Sequence, residues 1–156
     1  SLKVLAKKAG IYGMIGGQVV DVEAEKQYGI SKNRLDFIYE LKTGALIEAA
    51  MMIGAILGGA TDEEVEQIEE VAKKIGLAFQ IQDDVLDVIG ETETIGKSVG
   101  SDEKNQKATY VVFEGLEKAK QEVADLTDDA IAILQELPYE NPFLTELLRW
   151  MVLRDK

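Results

Sequence analysis

Only two prolines, Pro138 and Pro142, interrupt a chain whose apolar residues otherwise recur with a period near 3.6. Proline removes a backbone donor and clashes with the preceding turn of a helix, so a sequence this free of it can run as helix almost from end to end. No stretch alternates apolar and polar residues with the period of two that a half-buried strand needs. The predicted fold class is all-α, and 156 residues match one domain with a core of its own.

Local signals divide the chain into helices. The first is predicted from Leu2 to Tyr28; its Gly10, Gly13, Gly16 and Gly17 each cost about 1 kcal/mol of intrinsic propensity, and such a run suggests closely packed helices. Ser31 is an N-cap for a long second helix ending near Gly58-Gly59. Thr61 and Glu64 form a capping box for a third, which stops at Gly90. Residues 90–107 are too polar for a core and too long for an ordinary connection, and they read either as a solvated linker or as a mobile lid bearing Lys97, Lys104 and Lys107. Helix resumes near Ala108, bends or breaks at Gly115 and reaches Leu137; Asn141 and Pro142 then start a last helix through Phe143, Leu147, Trp150 and Met151.

Residues 79–87 carry the densest chemistry. On a helix turning about 100° per residue, Gln80, Asp83, Asp84 and Asp87 fall within one arc of roughly 100°. Ile75, Ala78, Ile81, Val85, Leu86, Val88 and Ile89 fill the core-facing stripe, so the acidic arc is predicted to face away from the main packing surface. Unpaired carboxylates at these spacings repel by roughly 0.2–0.5 kcal/mol per pair, a cost that a cation converts into a gain. Such an arc is either a solvated acidic face or a cation site. Ala72 and Gly76, one turn back, leave room for something to approach the backbone.

Two further polar groups stand on apolar faces. Lys42 lies in the middle of a stripe formed by Leu35, Ile38, Tyr39, Ala45, Leu46, Ala49 and Ile53, so it must snorkel along its stem or meet an anion. Thr43 and Gly44 beside it add a hydroxyl and an open position. Gln18, Asp21 and Glu25 share a face with Ile11, Met14, Ile15 and Val22; an interhelical hydrogen bond is the simplest use of such a strip, and lining a cavity is the other.

With no cysteine and no histidine, the chain has no disulfide, thiol nucleophile, usual zinc site or imidazole acid–base chemistry. Its net charge of −12 opposes binding to nucleic acid and to anionic membranes. Residues 44–60 are apolar apart from Glu48, but their glycines and the preceding Lys42 mark a buried core helix rather than an integral membrane segment. No signal-peptide pattern opens the chain, and a cytoplasmic setting is expected. Clustered carboxylates without histidine suit Mg²⁺, and lysines opposite them suit the phosphate oxygens that such an ion bridges. A diphosphate is the expected ligand.

The motifs Gly17-Gln18-x-x-Asp21, Lys42-Thr43-Gly44, Phe79-Gln80-Ile81-Gln82-Asp83-Asp84-x-x-Asp87, Gly96-Lys97 and Gly100-Ser101-Asp102 with Lys107 together resemble the trans-isoprenyl diphosphate synthases, especially the short-chain farnesyl and geranylgeranyl type. The resemblance covers essentially the whole chain. It implies that residues 1–156 form the C-terminal half of an isoprenoid-synthase-type antiparallel helical bundle, with the first aspartate-rich motif and the residues holding isopentenyl diphosphate in an N-terminal half that this chain lacks. Asp83, Asp84 and Asp87 then form the second aspartate-rich motif and hold Mg²⁺. Asp83, Lys42 and Thr43 are the implied catalytic residues; Lys42, Thr43, Gln80, Lys97 and Lys107 hold or border the allylic diphosphate, backed by Gln18 and Asp21. The implied reaction joins isopentenyl diphosphate to the carbocation left when an allylic diphosphate ionises, in a homodimer, and this chain alone is expected to be inactive. The competing expectations are a noncatalytic subunit of such an enzyme, a purely structural helical bundle, and a terpene cyclase of similar fold.

Overall fold

A computed structural model describes residues 1–25, 29–89 and 108–154 of the protein. Among these residues there is no strand: the order is α1 (Leu2–Ala9), α2 (Met14–Ala24), α3 (Lys32–Ile38), a π-helical turn (Tyr39–Gly44), α4 (Ala45–Leu57), α5 (Asp62–Ile89), α6 (Tyr110–Glu114), α7 (Leu116–Glu136) and α8 (Pro142–Val152). The predicted all-α class holds. Tyr28, Gly90, Lys97, Lys104 and Lys107, and with them the predicted lid, lie outside the described residues.

The predicted caps are present. Ser31 Oγ accepts from the Arg34 N–H, Thr61 and Glu64 exchange backbone-to-side-chain bonds of 2.7 and 3.3 Å, and Asn141 Oδ1 accepts from the Leu144 N–H at 3.0 Å. Satisfying these first-turn donors sets where each helix begins. The bend foreseen at Gly115 is a full break, since φ of +85° with ψ of 156° is open to glycine and not to a residue with a Cβ.

Helix α5 is the axis of the bundle, with α7, α4, the π-turn, α8 and α6 all packed on it. Its Val71, Ile75, Ile81 and Val85 meet Val123 and Leu134 of α7 and Leu148 and Val152 of α8 in one core. Burying each such side chain stabilises the fold by about 1.5–3 kcal/mol. Val88 and Ile89, assigned to the same stripe from periodicity, are exposed, because the elements packed along α5 do not cover its end.

Two helix assignments need correction. The single helix expected from Leu2 to Tyr28 is broken after Ala9, where Gly10 turns extended (φ −77°, ψ −166°), so the glycines cost more than the apolar period could repay. The second helix begins and ends as predicted but contains the π-turn, an extra residue inserted in its register. No described helix is long and apolar enough to cross a membrane.

Helix α1 is held by an ionic triad. Lys8 Nζ pairs with Glu48, which is only 2 % exposed, and with Glu69 at 2.6 Å, tying α1 to α4 and α5. Burial opposes the charge on Lys8, yet hydrogen bonds and charge from Glu48 and Glu69 outweigh it and raise its pKa above 10.5. This explains how the apolar stretch 44–60 tolerates Glu48.

The glycines are spent on close approach. A Cβ on Gly17 would stand 2.4 Å from the Lys42 backbone nitrogen and 2.8 Å from the Leu41 carbonyl carbon, backbone atoms that cannot swing aside. One on Gly76 would stand 3.0 Å from Gly44 Cα. The π-turn is thus gripped by α2 and α5, and the neighbour that Ala72 and Gly76 admit is another helix. Gly17→Ala is expected to destabilise the fold by about 1–3 kcal/mol through overpacking. Gly54→Ala, where a Cβ meets nothing within 4 Å, serves as the control and is expected to be neutral or mildly stabilising. Urea unfolding midpoints measure both, and equal midpoints would show that α2 does not need this contact.

Candidate functional site

The π-turn carries Lys42 and Thr43, both half-buried, and projects Lys42 toward α2. There its Nζ ion-pairs with the carboxylate of Asp21, which is 6 % exposed. Lys42 therefore meets an anion instead of snorkelling, and the polar strip on α2 makes an interhelical pair as its spacing suggested. Of that strip Asp21 is buried, Gln18 is half-buried one turn before it, and Glu25 points to solvent. Ile11, Ile15 and Val22, expected on the same face, are exposed, because α2 buries the side bearing Gly17 and Asp21.

The acidic arc of α5 does not behave as one face. Asp83 keeps 47 % of its side chain exposed and Gln80 is half-buried, but Asp84 and Asp87 are 7 % and 2 % exposed. The expectation that the arc points away from the packing surface is thus overturned for its second and third carboxylates. The cause is neighbouring structure that helical periodicity cannot register. Asp84 Oδ2 accepts from the Tyr39 hydroxyl at 2.5 Å and from the Tyr110 N–H at 2.7 Å. Tyr39 opens the π-turn, and the Tyr110 N–H is a first-turn donor of α6 that no helical carbonyl can satisfy. An ionised acceptor at these distances makes bonds about twice as strong as neutral ones. Among the described residues no three acidic side chains gather as a cation cage.

Asp83 already faces a cation. Arg154, beyond α8, ion-pairs with its Oδ1, lies 3.9 Å over the Phe79 ring, and accepts a bond from Gln82 Nε2 on its carbonyl at 3.3 Å. Phe79 and Asp83 are one turn apart on α5, so the guanidinium spans an aromatic face and a carboxylate of the same helix. With the Asp83 side chain 47 % exposed, solvent screens the pair and its contribution is about 0–1 kcal/mol.

The structure thus gathers Lys42, Thr43, Asp21 and Gln18 around the π-turn and links that turn to the aspartate helix through Tyr39. Lys97 and Lys107 lie outside the described residues. The sequence reading missed Tyr39 as a polar partner, although a phenol in an otherwise aliphatic stripe three residues before Lys42 was the available signal. It also missed that Arg154 returns to Asp83, since a contact between residues 71 apart leaves no local trace.

Comparison with known proteins fits this geometry. The sequence pattern of the family described as Polyprenyl synthetase matches residues 2–138. The farnesyl diphosphate synthase of Escherichia coli (strain K12) is 43 % identical over 138 residues, covering 88 % of this chain and 46 % of that protein. The chloroplastic geranylgeranyl pyrophosphate synthase of Capsicum annuum is 44 % identical over 126 residues, covering 81 % of this chain and 34 % of that one. Among solved structures, a geranyltransferase from Helicobacter pylori complexed with magnesium and isoprenyl diphosphate superposes with a TM-score of 0.77 at 33 % identity, over 97 % of this chain and 49 % of its own. The chain spans less than half the length of each of these three proteins.

Proposed function

This chain belongs to the polyprenyl synthetase family, and on that premise we propose that it supplies the allylic-diphosphate side of a short-chain trans-prenyltransferase site. The observation that carries the proposal is the coupling of two charged sets across one short turn: Lys42 with Asp21 on α2, and the aspartates of α5, joined through Tyr39. One set suits diphosphate oxygens and the other a cation bridging them.

The residues fit Mg²⁺. Every acidic donor is an oxygen, there is no histidine or cysteine, and Asp83 is half-exposed and already turned to a positive charge. Asp83, with Asp87 one turn on, would hold the ion; a choice of magnesium is supported by the H. pylori geranyltransferase, which is complexed with that metal. When bound, Mg²⁺ neutralises charge that builds on the diphosphate as the allylic C–O bond breaks.

The chain's own residues do the rest. Lys42 and Thr43 donate to diphosphate oxygens, and Gln80 orients the group from α5. Asp21 keeps Lys42 aimed while the site is empty, and yields it to the stronger anion. Apolar helix faces exclude water from the cation formed on ionisation, so that it meets the double bond of isopentenyl diphosphate and then loses a proton. The product is a farnesyl- or geranylgeranyl-type diphosphate, as made by the relatives named above.

The remainder of the site, including residues that hold isopentenyl diphosphate, would come from outside this chain, which spans less than half the length of those relatives. Exposed Ile15, Val19 and Val22, spaced along one side of α2, support packing against that remainder, because a lone helix face this apolar is seldom left in water. The assembled unit is a homodimer in the cytoplasm. Titration calorimetry of the chain with inorganic pyrophosphate tests the site: binding is expected with Mg²⁺ and is expected to disappear in EDTA. Binding that ignores Mg²⁺, or none at all, would refute the assignment. Without the complementary helices, turnover of isopentenyl and allylic diphosphates is expected to be undetectable.

A further inference from the structure

Asp84 and Tyr39 are the polar pair that the chemistry above does not use. Asp84 is 7 % exposed and Tyr39 is 7 % exposed, so neither meets solvent freely, and both lie where three pieces of the site converge. Asp84 stands next to Asp83 on α5. Tyr39 is the first residue of the turn whose fourth and fifth residues are Lys42 and Thr43. Tyr110, whose N–H shares the same Asp84 oxygen, begins α6 where the described chain resumes after residue 107.

We propose that Asp84 is not a metal ligand but a positioning residue, which through the Tyr39 hydroxyl sets the π-turn, and with it Lys42, at a fixed register against Asp83. The proposal rests on the assignment of Asp83 and Lys42 to one diphosphate site. Three observations support it.

First, the oxygen in question is already committed. Asp84 Oδ2 accepts two short bonds inside the protein, and a cation drawing on that oxygen would have to break both. Asp83, by contrast, keeps 47 % of its side chain exposed and has its Oδ1 on one guanidinium, that of Arg154.

Second, a π-turn has an extra residue and poorer hydrogen-bond geometry than the α-helix around it, so it persists only where its surroundings hold it. Gly17 and Gly76 hold the backbone from two sides by contact alone. Shape contact fixes how near the helices come but not rotation of the turn between them. A directional bond from the first residue of the turn to α5 supplies that. Third, reversion to regular α-helix would rotate Lys42 by roughly 50° relative to Tyr39, about half the 100° step that the whole turn's extra residue represents, and so change its direction toward Asp21 and the Asp83 side. The Tyr39–Asp84 bond is a contact that such a reversion would have to break or drag with it.

The test compares Tyr39→Phe, Asp84→Asn, their double variant and Asp83→Asn in the full chain. Each is measured for binding of inorganic pyrophosphate at saturating Mg²⁺ and for thermal unfolding. Tyr39→Phe deletes one oxygen and leaves the ring, and Asp84→Asn keeps an acceptor for the Tyr110 N–H, so the folded state is expected to survive both. Each is expected to weaken pyrophosphate binding, Tyr39→Phe about tenfold and Asp84→Asn by less, and the double variant no more than Tyr39→Phe alone, because both act on the same bond, the first by deleting its donor and the second by making its acceptor neutral. Asp83→Asn is expected to abolish binding.

Pyrophosphate affinity unchanged in Tyr39→Phe, even with a lowered melting temperature, would reduce the pair to a core hydrogen bond and overturn the proposal. Loss in Asp84→Asn as complete as in Asp83→Asn would make Asp84 a metal ligand and overturn it as well. Binding that survives Asp83→Asn would instead bring down the diphosphate assignment itself.

Discussion

In the assembled enzyme, Asp83→Ala is expected to lower turnover by at least about a hundredfold, through loss of metal charge opposite the departing diphosphate. The same substitution is expected to leave folding nearly untouched. Among the described residues Asp83 pairs with Arg154, in a contact with 47 % of the Asp83 side chain exposed, worth about 0–1 kcal/mol. A midpoint shift of no more than about 4 °C follows for a chain of this size. Activity and stability therefore separate cleanly at this residue, which is unusual for a charged group in a helical bundle. A near-normal rate at saturating Mg²⁺ would remove Asp83 from the chemistry. Steady-state rates over a Mg²⁺ series, beside a thermal melt, decide between them.

Lys42→Ala is expected to act on both quantities. In catalysis it should cost roughly a hundredfold in kcat/KM, because the lysine meets charge that grows as the allylic bond breaks and so is felt in the transition state beyond the ground state. In folding it leaves Asp21, 6 % exposed, without its cation, at a cost of about 2–3 kcal/mol. Pairing it with Asp21→Asn distinguishes the two contributions. The double variant should regain most of the stability, since the uncompensated charge is gone, and none of the lost rate. If the double variant recovers rate along with stability, or if Lys42→Ala lowers stability alone, Lys42 is a core residue paired for packing and not for substrate.

Much of the fold follows from elementary signals. Ser31, the Thr61–Glu64 box and Asn141–Pro142 are caps whose geometry depends on three or four consecutive residues, and all three helix starts stand where these residues put them. Gly58-Gly59 and Gly115 act as punctuation for the same reason. The break at Gly10 was harder to see, because it turns on a balance between apolar period and glycine cost that differs by only about 1 kcal/mol per residue.

At the site the division is sharper. The presence of a carboxylate cluster, a lysine stranded in an apolar stripe and a polar strip on the first helical segment is local information, and chemical elimination of histidine and cysteine leaves oxygen, ammonium and hard cations to do the work. What each carboxylate does is not local. Asp83, Asp84 and Asp87 have the same side chain within about one turn of one helix, yet Asp84 lies under Tyr39 and Tyr110 while Asp83 faces Arg154.

The sequence by itself determined that the chain is helical, where most helices start and stop, and which ionisable groups it has to work with, because those properties depend on backbone propensity and on neighbours within about one turn. The tertiary structure alone decided that Lys42 answers Asp21, that Glu48 is tolerated beside Lys8, and that two aspartates of three turn inward, one of them bonded to Tyr39 of the π-turn. Each of these depends on where another helix crosses, and crossing is set by side-chain volume and backbone approach summed over distant segments, as at Gly17 and Gly76, which no helical period records.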